Sequence, residues 1–149
     1  METFDQQNTR QIWNRVYEAE TRTPNLPSLI PLIAQEESCA VCCIRLAKRL
    51  GGRGGPLLRI ARQCRQNSGC LRGISTVING SLPPIAVPPP RDKPYRAALQ
   101  ECYVNSLAGL NQYEAYSTDP DFGPVFRKMA SSTRDRCAIL LELIGKVGS

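Results

Sequence analysis

Histidine is absent from all 149 residues. No imidazole is available as a general base or as a metal ligand, and nothing in the chain resembles a hydrolase triad or a phosphate-binding loop. Aromatic residues are scarce, at 6% of the chain with a single tryptophan, which leaves little for stacking against nucleic-acid bases. No apolar run approaches the roughly 18 residues of a membrane span, and the N-terminus METFDQQNTR is polar. Neither a signal peptide nor a membrane anchor is therefore read, and the expected location is cytoplasmic. The seven cysteines are odd in number and fall mostly within helical patterns, so they are expected as reduced thiols rather than as a disulfide scaffold. The formal charge of +6 permits contact with polyanions, although an excess of this size also serves solubility.

What the chain does contain is helical periodicity. Across residues 122–147 (FGPVFRKMASSTRDRCAILLELIGKV), Phe122, Phe126, Met129, Leu140, Leu143 and Val147 recur in alternating steps of four and three, the seam of a long core-facing helix. The same rhythm lands on Thr133 and Arg136, so the seam has a polar gap in the middle. Three other seams repeat the pattern. They run Leu29, Ile33, Glu36, Ala40, Cys43, Ala47, Leu50; then Leu57, Ile60, Cys64, Asn67, Leu71, Ile74, Ile78; then Leu99, Cys102, Ser106, Leu110, Tyr113. Four seams, each interrupted near mid-length by polar or sulfur-bearing residues, predict an all-α four-helix bundle with a site, or a former site, at its centre. The length suffices for one domain that folds without metal or disulfide staples.

In chain order, residues 3–20 read as a short N-terminal helix with Ile12, Trp13, Val16 and Tyr17 on its apolar face, lying across the bundle as a lid. A linker follows, so residues 1–27 form the N-terminal helix and linker and residues 28–149 the bundle. Ser28 is the expected N-cap of the first bundle helix, with Pro31 in its first turn. The loop GGRGG at 51–55 ends that helix and Pro56 opens the next, making an antiparallel pair. Gly80 stops the second helix. Residues 81–94 (SLPPIAVPPPRDKP) then hold six prolines in 14 residues. An extended chain of this kind reaches ~40 Å at ~3.1 Å per residue, more than the ~33 Å of a 22-residue helix. It can cross the bundle lengthwise and let the third helix run parallel to the second. The turn STDPDFG at 117–123 makes the last two helices a second hairpin.

The hairpins also look like an internal repeat. Glu36 and Ser106 are offset by 70 residues, as are Cys43 and Tyr113, while the pairs Cys64/Asn67 and Thr133/Arg136 are offset by 69. Near-equal offsets suggest duplication of a helical hairpin.

The phrases LIAQEE (32–37), RLAKRL (45–50), CLRGI (70–74), DPDFGPVF (119–126) and LLELIG (140–145), with the Gly-rich turn, the proline-rich connection and the Asp-Pro turn, resemble the ferritin-like superfamily. The likeness is to its rubrerythrin-type small bacterial members. It implies a ferritin-like four-helix bundle with one long crossover, and a di-iron or manganese centre held by a Glu from helices one and three and a Glu-x-x-His from helices two and four. Carried over residue by residue, those positions are Glu36, Cys64, Asn67, Ser106, Thr133 and Arg136. Only Glu36 matches. One carboxylate cannot offset two divalent cations, and a permanently protonated guanidinium among the ligand positions repels them. The expectation is a degenerate, non-enzymatic member with no metal at that centre, serving an interaction or structural role as a homo-oligomer or with a paralogous ferritin-like protein. The alternatives are a metal-binding oxidoreductase using Glu36 with unconventional ligands, and a basic nucleic-acid-associated protein.

Three groupings follow. Glu36 and Arg136 are expected to pair inside the bundle, because each gives the other a reason to be tolerated there; the alternative turns Arg136 to the surface with Arg134 and Asp135. Cys39, Cys43 and Cys64, with Cys42, form a possible thiol cluster for zinc, although they lack the paired spacing of structural zinc sites; set against it is the reading of buried cysteine as a small hydrophobe. Arg53, Arg59, Arg62, Arg65 and Arg72 mark a basic face without interleaved aromatics, read as a solvated surface more readily than as a nucleic-acid interface. Tyr113 and Tyr116 are read as core and rim.

Overall fold

The computed structural model describes residues 26–147. The N-terminal helix expected at 3–20 lies outside the described residues. Four long helices follow in order: α1 (Ile30–Leu50), α2 (Gly55–Asn79), α3 (Tyr95–Tyr116) and α4 (Gly123–Val147). No strand occurs among the described residues. α1 packs along α2 and α3 along α4, and the two hairpins meet through α2 against α4 and α1 against α3.

The seams meet at two apolar clusters. One gathers Leu46, Leu57, Ile60, Leu99 and Leu140 with several cysteines, and the other gathers Leu29, Ile33, Leu71, Ile74, Tyr113, Phe126 and Met129. Burying side chains of this size supplies the main driving force, at about 1.5–3 kcal/mol for each full burial. Leu46 near the end of α1 shares a cluster with Leu57 near the start of α2 and Leu99 near the start of α3. The helices therefore run antiparallel within each hairpin, with α2 and α3 pointing the same way. Between the clusters lies a buried polar group of Glu36, Asn67, Ser68, Ser106, Thr133 and Arg136.

The ends of the helices differ from expectation in instructive ways. Leu29, not Ser28, holds the N-cap position of α1 and makes no side-chain cap bond. Ser28 sits one residue earlier, where its Oγ accepts from the Ile30 amide at 3.4 Å. The GGRGG loop contains a short 3₁₀ turn, Gly51–Arg53, closed by the Gly54 amide donating to the Gly51 carbonyl at 3.1 Å. Gly51 needs its glycine for a φ of +58°, as Gly80 does for its left-handed cap at +76°. α3 starts at Tyr95, a turn before Leu99, because Pro94 with φ near −54° sets its boundary. At the far end of α4 the seam runs out, since Leu143 is half-buried and Val147 is exposed.

Residues 81–94 carry no regular secondary structure. Leu82 and Ile85 pack on the cluster of Leu29 and Phe126. Further along, Arg45 Nη1 donates to the Pro90 carbonyl (3.0 Å), Arg45 Nη2 to Asp92 (2.7 Å) and Arg49 Nη1 to the Lys93 carbonyl (3.0 Å). Two arginines of α1 thus pin the segment before α3 begins.

Gly123 opens α4 for a steric reason. A Cβ there would lie 2.5 Å from the Ser117 carbonyl oxygen, which also accepts from Arg127 Nη1 at 2.7 Å. Gly123→Ala is expected to cost about 1–3 kcal/mol through forced backbone movement, read as a lower denaturant midpoint. Gly69→Ala, where a Cβ meets nothing within 4 Å, is the control and should be neutral or slightly stabilising.

Candidate functional site

The buried polar group is organised by one carboxylate. Glu36 reaches in from α1 and Arg136 from α4, at 4% and 2% exposure. Arg136 Nη2 donates to Glu36 Oε2 at 2.8 Å and Nη1 to Oε1 at 3.3 Å, a bidentate fork. The Tyr113 hydroxyl of α3 donates to the same Oε1 at 2.8 Å. Three helices are thereby tied to one side chain. Arg134 and Asp135 stay at the surface, where Arg134 pairs with Glu114, so the surface placement of Arg136 is not adopted. Burial alone would lower the readiness of Arg136 to stay protonated, but the Glu36 carboxylate together with the neighbouring Cys64 and Cys39 more than offsets this and holds the guanidinium above its ordinary value. Burial, then the adjacent Glu36 charge, raises the Tyr113 phenol, which therefore remains a neutral donor.

The other positions are less completely satisfied. Asn67 Nδ2 donates to Thr133 Oγ1 at a long 3.4 Å, and the Thr133 hydroxyl donates back to the Met129 carbonyl at 2.7 Å. Ser106 Oγ and Arg136 Nε are buried and make no hydrogen bond among the described residues. All six positions named from the sequence, Glu36, Cys64, Asn67, Ser106, Thr133 and Arg136, are buried. Their donors are one carboxylate, one thiol, one amide, two hydroxyls and a guanidinium. This set does not fit two divalent cations of the iron or manganese kind: one anionic oxygen ligand is too few, and the guanidinium already engages both its oxygens.

Beside the ion pair lies a group of thiols. The Sγ atoms of Cys39 and Cys43 on α1 and Cys102 on α3 lie within 4.8 Å of one another, all buried. Cys42 Sγ is 3.7 Å from Cys102 Sγ. Cys64 of α2 is near enough to shift the Cys39 thiol but stands outside the tight triad. The structure therefore revises the expected set of Cys39, Cys43 and Cys64 by bringing in Cys102, which sequence reasoning left on the α3 seam as a core residue. Its signal was its place one turn from Ser106. Hydrogen bonds from Cys102, Cys43 and Cys64 pull the Cys39 thiol well below its ordinary range. The neighbours move the other way: bonding to Cys39, then burial, raises Cys64, and bonding to Cys39, Cys42 and Cys43 raises Cys102. Cys70 is exposed and Cys137 is buried on α4, and all seven cysteines are free.

A cleft of about 380 Å³ opens between α1, α3 and the proline-rich segment. Cys39, Cys42 and Cys102 line it from the helices, and Pro88, Pro89 and Pro90 from the segment. The thiol group, unlike the ion pair, is thus next to a route from solvent. The basic face has a different character. Arg53, Arg59, Arg62 and Arg65 are exposed, while Arg72 is half-buried, with its Nε donating to Ser68 Oγ at 3.2 Å and Nη2 3.8 Å from Glu37.

Comparison with protein families, with curated proteins and with solved structures finds no match for this chain. Among the described residues no helix is long and apolar enough to cross a membrane.

Proposed function

We propose that this chain is a ferritin-like bundle in which a buried ion pair stands where relatives hold a di-metal centre, and that it acts as a non-enzymatic scaffold for association with itself or with a paralogous chain. Four helices in two hairpins, joined by a 14-residue proline-rich connection, support the ferritin-like reading and its lengthwise crossover. The observation that carries the proposal is the bidentate Arg136 fork on Glu36. A guanidinium supplies at that point the positive charge that cations would otherwise supply, and it stays protonated at any physiological pH. Catalysis by a carboxylate-bridged metal pair has no starting point in such a site.

Protein produced with iron and manganese in the medium, and stripped of loosely held metal, is expected to contain well below one equivalent of either by elemental analysis. Two equivalents, with an oxygen-sensitive optical spectrum, would sink the proposal. Light scattering across a concentration series reads the association directly, and a chain that stays monomeric alone and with its paralogue counts against the scaffold role.

A further inference from the structure

We propose that Cys39, Cys43 and Cys102, with Cys42 as a fourth ligand, form a binding site for one thiophilic d¹⁰ cation, Zn²⁺ or Cu⁺, loaded through the cleft beside Pro88, Pro89 and Pro90. The proposal does not depend on the ferritin-like reading. It rests on where four thiols lie and on what lies around them.

Cys39 and Cys43 stand one helical turn apart on one face of α1, and Cys102 comes from the facing helix. Their sulfurs already lie within 4.8 Å of one another. A tetrahedral site with metal–sulfur bonds of ~2.3 Å needs sulfurs ~3.8 Å apart. The triad is therefore within an ångström or so of ligating distances, a gap that side-chain rotation can close. Cys42 is 3.7 Å from Cys102, at the spacing two such ligands share. Isolated buried cysteines are ordinary small hydrophobes, but a core built for packing alone has no need to bring three sulfurs from two helices within 4.8 Å of one another beside a cleft, with a fourth 3.7 Å from one of them.

The donor set chooses the cation. Sulfur-only ligands favour Zn²⁺ and Cu⁺ over iron, manganese, magnesium or calcium in oxygen-rich sites. Leu46, Leu57, Leu99 and Leu140 belong to the same apolar cluster, and this dry shell strengthens each metal–thiolate bond. As the cation binds, each S–H bond is replaced by an S–metal bond and the proton leaves to solvent; no electron is transferred. Cys42 is half-buried and Cys43 fully buried. Cys39, Cys42 and Cys102 line the cleft, so the cation meets these three first and Cys43 completes the site from within.

The test uses the full chain, reduced and metal-free under anaerobic conditions, titrated in separate arms with Zn²⁺ alone and Cu⁺ alone against a colorimetric chelator for each. About one equivalent should resist the chelator in at least one arm, and the arm in which it does identifies the cation. The Cys39→Ser/Cys102→Ser double variant should lose more affinity than the roughly 10–100-fold that follows removal of a residue merely supporting a metal ligand. Cys70→Ser should bind as the parent does. Because serine within the core can unfold the bundle, the parent chain is also alkylated with and without the bound cation. Mass spectrometry should show Cys39, Cys42, Cys43 and Cys102 protected by the cation and Cys70 labelled in both states. Failure to retain either cation, retention undiminished in a folded double variant, or protection that spares these four cysteines would each overturn the proposal.

Discussion

Glu36→Leu and Arg136→Met are each expected to destabilise the bundle by about 3–5 kcal/mol, and the double variant to recover most of that loss. Either single change strands a charge in a site where both side chains are at most 5% exposed. The double change removes both charges and leaves apolar side chains of similar volume. The pair is also imperfectly served, since Arg136 Nε makes no hydrogen bond among the described residues. Replacing it should therefore be close to neutral. Urea midpoints of the four proteins measure the two single effects and the coupling between them. Additive single effects below about 0.5 kcal/mol each would mean that the two side chains do not depend on one another.

Much of this arrangement was legible in the spacing of apolar residues. The four seams predicted which residues face inward, and Glu36, Cys64, Asn67, Ser106, Thr133 and Arg136 are all buried, because burial follows helical phase and phase is written in the sequence. Relations between helices were not legible in the same way. Cys102 was visible on its seam, but its approach to Cys39 and Cys43 depends on how far α3 is rotated and shifted against α1, which no single-helix pattern records. The hydrogen bond from Tyr113 to Glu36 escaped for the same reason: a tyrosine in a seam reads as core whatever its hydroxyl does. Helix ends were lost to local competition. Pro94 hid the first turn of α3 behind a proline run, and Ser28 looked like a cap although Leu29 occupies that position. Val147 keeps the seam rhythm yet is exposed, since periodicity says nothing about where the facing helices stop.

A six-residue site tests the ferritin-like reading most directly. Under that reading, Cys64→Glu, Ser106→Glu and Thr133→Glu together with Asn67→His and Arg136→His, around the native Glu36, would install two single carboxylates and two Glu-x-x-His pairs at positions that are already buried. Four of the five changes enlarge the side chain and only the arginine shrinks, so the variant also has added volume to accommodate. Without metal, four carboxylates in one dry site repel one another and lose solvation, so the apo variant should be distinctly less stable than the parent and most so at high pH. Two Fe²⁺ or Mn²⁺ ions relieve that repulsion. Ligand linkage then gives about 4 kcal/mol of recovered stability at a thousandfold excess of metal over its dissociation constant. The expected readouts are two equivalents of bound metal and a melting temperature that rises with metal concentration in the variant but not in the parent. A variant that stays helical, melts cooperatively and takes up neither ion would show that these six side chains do not converge on one point. The bundle would then owe its four seams to packing needs alone.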